Sequence, residues 1–471
     1  MFPKTHRKIL IISLLSINFI YFISSSYPVM TSNDGSHFAL VSALVEDGSF
    51  KINKYIDYTY FVDFNLKDGN YYSDRPPGTA LLSIPFYAFG KFYRETGLDR
   101  YLSYQINISK VFVIFLPNIA GTIAILLLFR LYTFLKFSFS TSMLSCFLFA
   151  FSTLSWFEST RLFSHSVSMV TILCAVFLVV TLNRFNYDNI KPIIAVSALL
   201  AVASIIEIQN ILFVFPFIIY ILLSKKFNVK DVLDRNSLIP LVLAILLFAA
   251  VYSILLAYNF IVFDELTIKS NKYNPVFPEE SSFFTSLSGN FYMGMDRLFI
   301  NFTNKEVIFD WSKGIKNQAP GLLIISPILI LSLIGFNYFF KSCKNEALFF
   351  LILICIEVII VASHKTVLTR HVFTILPFLF FPVAFIIRKS FEQMNNAKNV
   401  FLHRYSLLSI ILILSCLSIA RVFYIMNSYW TRSLSYPFRF IQEIPSYIVF
   451  YGFIFLICYL FKRLMDLKSL R

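Results

Sequence analysis

The chain has 471 residues, 57% of them hydrophobic and 14% charged, with 56 phenylalanines and a mean hydropathy of +0.71. A soluble domain is nearer half apolar and a quarter charged, so this composition excludes a purely soluble protein, a disulfide-rich secreted scaffold and a disordered chain. The net charge of +15 comes from lysines and arginines placed in short loops between apolar runs, with no basic stripe interleaved with stacking aromatics. That pattern is orientation by the positive-inside rule, and not nucleic-acid binding. The six cysteines stand singly in or beside apolar runs without a C-x-x-C spacing, which reads as small core residues.

The length accommodates about a dozen spans of roughly 20 residues, and the expected fold is an all-α polytopic membrane bundle of about 12 helices. A basic N-terminus (Lys4, Arg7, Lys8) precedes an apolar run from Ile9, so residues 1–27 are expected to hold a first, uncleaved span. An outer loop over 28–106 follows. Five further spans are expected in 107–257 at 107–129, 139–157, 165–182, 192–206 and 209–224, and a sixth at 238–257. A second large outer loop covers 258–320. The last five spans, in 321–471, are expected at 321–340, 346–362, 372–387, 405–424 and 446–461. Within 192–224, Glu207, Gln209 and Asn210 interrupt an almost continuous apolar stretch flanked by basic residues on both sides. Two short crossings with Glu207 at their outer tip satisfy those flanks. With both termini cytoplasmic, seven cytoplasmic segments are rich in lysine and arginine, and the sequons at Asn107 and Asn301 fall on or near the outer side.

Ionisable residues then gather near the outer ends of the spans: Asp34, His37, Glu46, Asp47, Asp74, Arg75, Glu158, Arg161, His165, Glu207, His364, Arg370 and His371. Charged groups at that depth are costly and often functional. The first loop is the most informative segment. Asn33 or Asp34 suits the N-cap of an interfacial helix that Gly48 stops. An aromatic, strand-like stretch then turns at Asp68-Gly69, and Pro76-Pro77 open a second helix along the membrane. Glu357, in the middle of a late span, must face the bundle interior.

The acid directly after the first span (Asp34), the two helices of the first loop and the Arg75-Pro76-Pro77 element together resemble the GT-C membrane glycosyltransferases, in particular the protein O-mannosyltransferase and aminoarabinose transferase branch. Phe163-Ser164-His165 and the stretch from Arg370 to Pro377 are similar to elements of uncharacterised bacterial and archaeal members. The chain departs from that branch in having Asp34-Gly35 for Asp-Glu, Arg75 where lysine is frequent, and Glu158 for a second loop aspartate. The resemblance implies a GT-C bundle and inverting transfer of a hexose-like sugar from a polyprenyl-phosphate donor to a hydroxyl at the outer face. The acceptor would be a lipid, glycan or protein.

The chemistry asks for the same residue types. A carboxylate takes the proton of the acceptor hydroxyl, a role expected of Asp34. Guanidinium groups stabilise the departing phosphate, a role expected of Arg75, Arg161 and Arg370. His37, Asp74, Glu158, His165 and His371 are auxiliary candidates. The sequence singles out no particular cofactor, and a divalent metal held by Asp34, His37, Glu158 and His165 is left open, without metal-ligand spacing to support it. Two other readings share this layout: a secondary transporter or flippase of lipid-linked saccharides, motivated by Glu207 and Glu357 within apolar runs, and a polysaccharide polymerase or ligase.

Overall fold

The computed structural model describes residues 3–25, 31–97, 108–182, 191–223, 235–268, 271–277, 287, 289–301, 320–364, 367–396 and 401–430. The expected span at 446–461 and the sequon residues Asn107, Phe302 and Thr303 lie outside them. Seven helical segments are long and apolar enough to cross a membrane: Lys4–Ile23, Ile108–Phe134, Ser164–Leu182, Ile239–Phe263, Lys344–Ala362, Thr369–Glu392 and Leu407–Met426. Four shorter apolar segments, Phe139–Ser152, Pro192–Ile206, Ile208–Leu223 and Pro327–Ser342, fall where the sequence also places spans. The chain is a multi-pass, almost entirely helical membrane protein.

The elements that position the site are α1 (Lys4–Ile23), α2 (Ser32–Ser42), β1 (Phe64–Lys67), β2 (Asn70–Ser73), α3 (Gly78–Glu95), α4 (Ile108–Val113), α5 (Phe115–Phe134), α6 (Phe139–Ser152), α7 (Ser155–Glu158), α8 (Ser164–Leu182), α9 (Lys191–Ile206), α10 (Val214–Leu223) and α11 (Arg235–Phe263). The later helices are α12 (Phe291–Phe299), α13 (Leu322–Ile325), α14 (Ile330–Ser342), α15 (Lys344–Ala362), α16 (Leu376–Asn396) and α17 (Phe401–Trp430). Polar residues inside the spans return their hydrogen bonds to their own helix, as Ser145 does to Thr141 and Thr171 to Val167, so apolar surroundings leave them satisfied. The phenylalanines interlock across helices. Phe381 of α16 stacks on Tyr132 of α5 with centroids 4.6 Å apart, and Phe339, Phe350 and Phe385 close around it. Such ring pairs add to the packing on which helix association in lipid depends.

Over residues 31–97 the first loop is more deeply set than its sequence implies. α2 begins two or three residues earlier than expected. Its N-cap is Thr31, whose hydroxyl accepts from the Asp34 amide, while Asp34 Oδ1 accepts from the Thr31 amide at 2.8 Å and its hydroxyl at 2.5 Å. Asp34 is therefore the third helical residue of a capping box, and neither it nor Asn33 is the N-cap. Every residue from Asn33 to Ser42 is buried, so α2 is not a helix lying on the bilayer with one face in lipid. Its shell is made by the 3₁₀ segment Asn53–Thr59, the hairpin and α3. The helix continues as one wide turn, Ala43–Asp47, and stops at Gly48, as expected.

The hairpin turns at Asp68 and Gly69, both with positive φ (49° and 72°), the geometry of a type I′ turn. Its register pairs Phe64 with Ser73 and Lys67 with Asn70. α3 keeps the amphipathic pattern of an interfacial helix. Thr79, Ala80, Ser83, Tyr87 and Gly90 face inward, and Leu82, Phe89 and Phe92 are exposed. Glu46, at the end of the wide turn, binds Arg94 at 2.6 Å and Tyr87 at 3.1 Å, fixing α3 against α2.

Candidate active site

Three chain segments meet where α3 begins. A Cβ added to Gly78 would lie 2.5 Å from the Ile205 carbonyl oxygen and 2.8 Å from the Ile206 amide, so only glycine lets the backbone of α3 approach the end of α9 this closely. That approach sets Arg75-Pro76-Pro77 beside Glu207, which stands at the break between α9 and the 3₁₀ turn Ile208–Phe213. The third segment is the 3₁₀ turn Thr369–Ile375, which carries Arg370 and His371. Between them lies a cavity of about 300 Å³, lined by Asn33, His37, Asp63, Asp74, Arg75, His165, Glu207, His364, Arg370 and His371 among others.

The first-loop wall is an acid–base cluster. Extending the hairpin register by one step sets Asp63 across from Asp74, and like charges facing one another across a hairpin repel. Arg75 bridges them, with Nη2 2.8 Å from Asp63 Oδ1 and Nε 3.4 Å from Asp74 Oδ1. Asp74 also accepts from the Ser36 hydroxyl at 3.1 Å and from the Asn274 amide at 3.3 Å. Asn274 belongs to the second large loop, whose residues Asn274 and Asp264 thus touch the first loop, Asp264 by pairing with Lys67. Burial pushes the Asp74 carboxyl up to about 7, with the Asp63 charge adding to the effect and Arg75 opposing it. Burial, reinforced by the Arg75 guanidinium, pushes His37 down to about 3, so its imidazole is neutral.

The opposite wall is built on Glu207. Its Oε1 accepts from the Ser164 hydroxyl at 2.7 Å and lies 2.5 Å from His165 Nδ1, and its Oε2 accepts from Thr374 at 3.2 Å. His165, His371 and His364 follow one another with ring centroids 6.0 and 6.5 Å apart. The Arg370 guanidinium sits 5.1 Å from the centre of the Phe163 ring.

Of the catalytic, phosphate-binding and auxiliary candidates named from sequence, the cavity gathers His37, Asp74, Arg75, His165, Arg370 and His371, and it adds Glu207 and His364 from the wider set of ionisable residues near the outer span ends. Three others are placed elsewhere. Asp34 forms the helix cap described above, next to the lining residue Asn33. Arg161 is buried, with its guanidinium 4.1 Å over the Phe157 ring, and does not line the cavity. Glu158 is fully buried at the end of α7 and does not line it either. Two acids of the cavity, Asp63 and Glu207, are not among the expected site residues. Asp63 was findable: a two-residue turn at Asp68-Gly69 fixes the register that brings it opposite Asp74. Among the described residues no three histidine, cysteine or acidic side chains are grouped so as to hold a metal ion.

No protein-family model matches the sequence, and no curated protein matches it. Solved structures do. The chain is similar to ArnT from Cupriavidus metallidurans bound to undecaprenyl phosphate, with a TM-score of 0.51 and 9% identity, over 91% of this chain and 74% of that one. It is also similar to the oligosaccharyltransferase AglB from Archaeoglobus fulgidus in complex with an inhibitory peptide and a dolichol-phosphate, with a TM-score of 0.51 and 13% identity, over 90% of this chain and 56% of that one. The chain is thus a polytopic membrane protein with the GT-C fold, as its first-loop motifs imply.

Proposed function

We propose that this chain is a membrane glycosyltransferase that takes a sugar from a polyprenyl-phosphate carrier and transfers it to a hydroxyl acceptor. The observation that carries the reading is the convergence of Arg75 and Arg370, nearly 300 residues apart in sequence, on one cavity in a GT-C fold. Two guanidinium groups suit a phosphate whose charge grows as it departs. The lipid tail lies in the apolar surroundings of the bundle. The similar structures with undecaprenyl or dolichol phosphate support that donor class.

In the proposed step the acceptor oxygen attacks the anomeric carbon from the face opposite the phosphate. The carbon–oxygen bond to phosphate breaks, its electrons stay on the phosphate, and the configuration inverts. The acceptor proton passes to a first-loop carboxylate. Asp74 fits this role better than Asp34, because it lines the cavity and burial brings its proton affinity near neutral pH, where a general base works well. The termini are assigned to the cytoplasm and the cavity to the outer face on the charge pattern of the loops. Binding of undecaprenyl phosphate to the purified protein tests the donor assignment. Wild type is expected to bind and the Arg75→Ala/Arg370→Ala variant to lose binding; equal binding by both would refute it.

A further inference from the structure

The mechanism above uses two arginines and leaves His165 and Glu207 without a task. Their arrangement is specific. Glu207 is fixed by Ser164 on one oxygen and Thr374 on the other, so its carboxylate joins the start of α8, the end of α9 and the Thr369–Ile375 turn. Ser168, which contacts Thr374 at 3.2 Å, accepts from Asn210 at 2.7 Å and braces the same corner. Into this frame His165 places Nδ1, 2.5 Å from Glu207 Oε1. A carboxylate at that distance takes the hydrogen bond from Nδ1–H and fixes the orientation of the ring. The other nitrogen, Nε2, is buried and has no hydrogen-bond partner among the described residues, although His165 lines the cavity. A buried polar nitrogen without a partner costs stability unless something fills the place. Arg75 and Arg370 line the same cavity. Nε2 and the guanidinium groups of Arg75 and Arg370 thus border one cavity, a set of nitrogens that suits an anion.

We propose that His165 is a third ligand of the donor phosphate, giving it the Nε2–H, and that Glu207 is the positioning residue that holds the ring for this task. The proposal rests on the glycosyltransferase reading above and adds to it a residue pair outside the first loop. Asp74 takes the acceptor proton, and His165 binds the phosphate without transferring a proton to the reacting groups.

The test measures affinity for undecaprenyl phosphate, in detergent micelles, for wild type, Arg75→Ala/Arg370→Ala, His165→Ala, His165→Gln, Glu207→Gln and the His165→Gln/Glu207→Gln pair. Loss of one charged hydrogen bond predicts weakening of about 10- to 100-fold for His165→Ala. His165→Gln recovers part of it, because the glutamine amide reaches the position of Nε2 and donates there. Glu207→Gln weakens binding in the wild-type background and adds nothing in the His165→Gln background, since its effect passes through the ring. A Glu207→Gln loss that persists undiminished beside His165→Gln would make Glu207 a purely structural residue and overturn the proposal. So would wild-type affinity in His165→Ala while the double arginine variant fails to bind, an outcome that leaves the glycosyltransferase reading standing. No binding by wild type overturns both.

Discussion

Arg75 has two duties in this account, and substitution separates them. In Arg75→Ala, Asp63 loses a guanidinium at 2.8 Å, and Asp74 loses the cation that restrains its rise. Asp74 adapts by taking a proton, because burial already holds its carboxyl at about 7. The stability loss therefore falls mainly on Asp63, at about 1.5–3 kcal/mol for one charged hydrogen bond. Arg75→Lys keeps a charge but not the fork that reaches both acids, so it falls between. Asp63→Asn in the Arg75→Ala background removes the stranded charge and is expected to restore most of the thermal stability. Transfer is a separate matter. Losing one preorganised donor to the departing phosphate lowers turnover by about 100- to 1,000-fold, and Asp63→Asn does not restore it. Thermal unfolding in one detergent, alongside initial transfer rates, reads both quantities. If Asp63→Asn restored rate together with stability, Arg75 would be a structural residue only. If Arg75→Ala transferred at the wild-type rate, the phosphate assignment would fail.

Three further outcomes are expected. Thr31→Ala removes the acceptor of the α2 cap and costs about 1 kcal/mol, and Asp34→Asn keeps an oxygen for the Thr31 amide; both variants are expected to retain transfer, while Asp74→Asn abolishes it. Asp34→Asn losing transfer at unchanged melting temperature would return the base to Asp34. The raised Asp74 carboxyl means that the folded chain binds more protons than the unfolded chain between about pH 4 and 7. The Asp74 contribution to stability is therefore greatest at low pH and is lost as pH rises through about 7, whereas transfer, which needs the ionised form, rises over the same range. Asp74→Asn should flatten its share of the melting-temperature profile, and an unchanged profile would contradict the assignment. Finally, Gly78→Ala forces a methyl against the Ile205 and Ile206 backbone, an overpacking cost of about 1–3 kcal/mol, and should weaken donor affinity by moving Arg75 from Glu207; unchanged melting and affinity would show that this approach is not needed.

The parts legible in the sequence are those written in local rules. Apolar runs bounded by basic residues place the described spans, and the break at Glu207 falls where polarity interrupts the apolar stretch. Pro76-Pro77 and Gly48 mark the start of α3 and the end of the α2 segment, and Asp68-Gly69 marks the hairpin turn. Depth was not legible. α2 reads as an interfacial helix because its own pattern says nothing about the hairpin and α3, which wrap it. For the same reason the local contacts of Asp34 and Arg161 were not legible. The capping box of Asp34 and the cation–π contact of Arg161 are made with partners that the sequence pattern alone does not pair with them. Glu207 illustrates the converse. Its neighbours Ser164, His165 and Thr374 come from distant segments, so nothing in its local sequence announces the network it anchors.

The central claim is transfer of sugar from a lipid phosphate. It is tested most directly in liposomes containing the purified chain and a radiolabelled polyprenyl-phosphate-sugar pool, comparing wild type with Arg75→Ala/Arg370→Ala. The account predicts that label leaves the donor lipid for a new product with wild type alone. Labelled lipid that changes leaflet without forming any product would contradict it and identify a flippase.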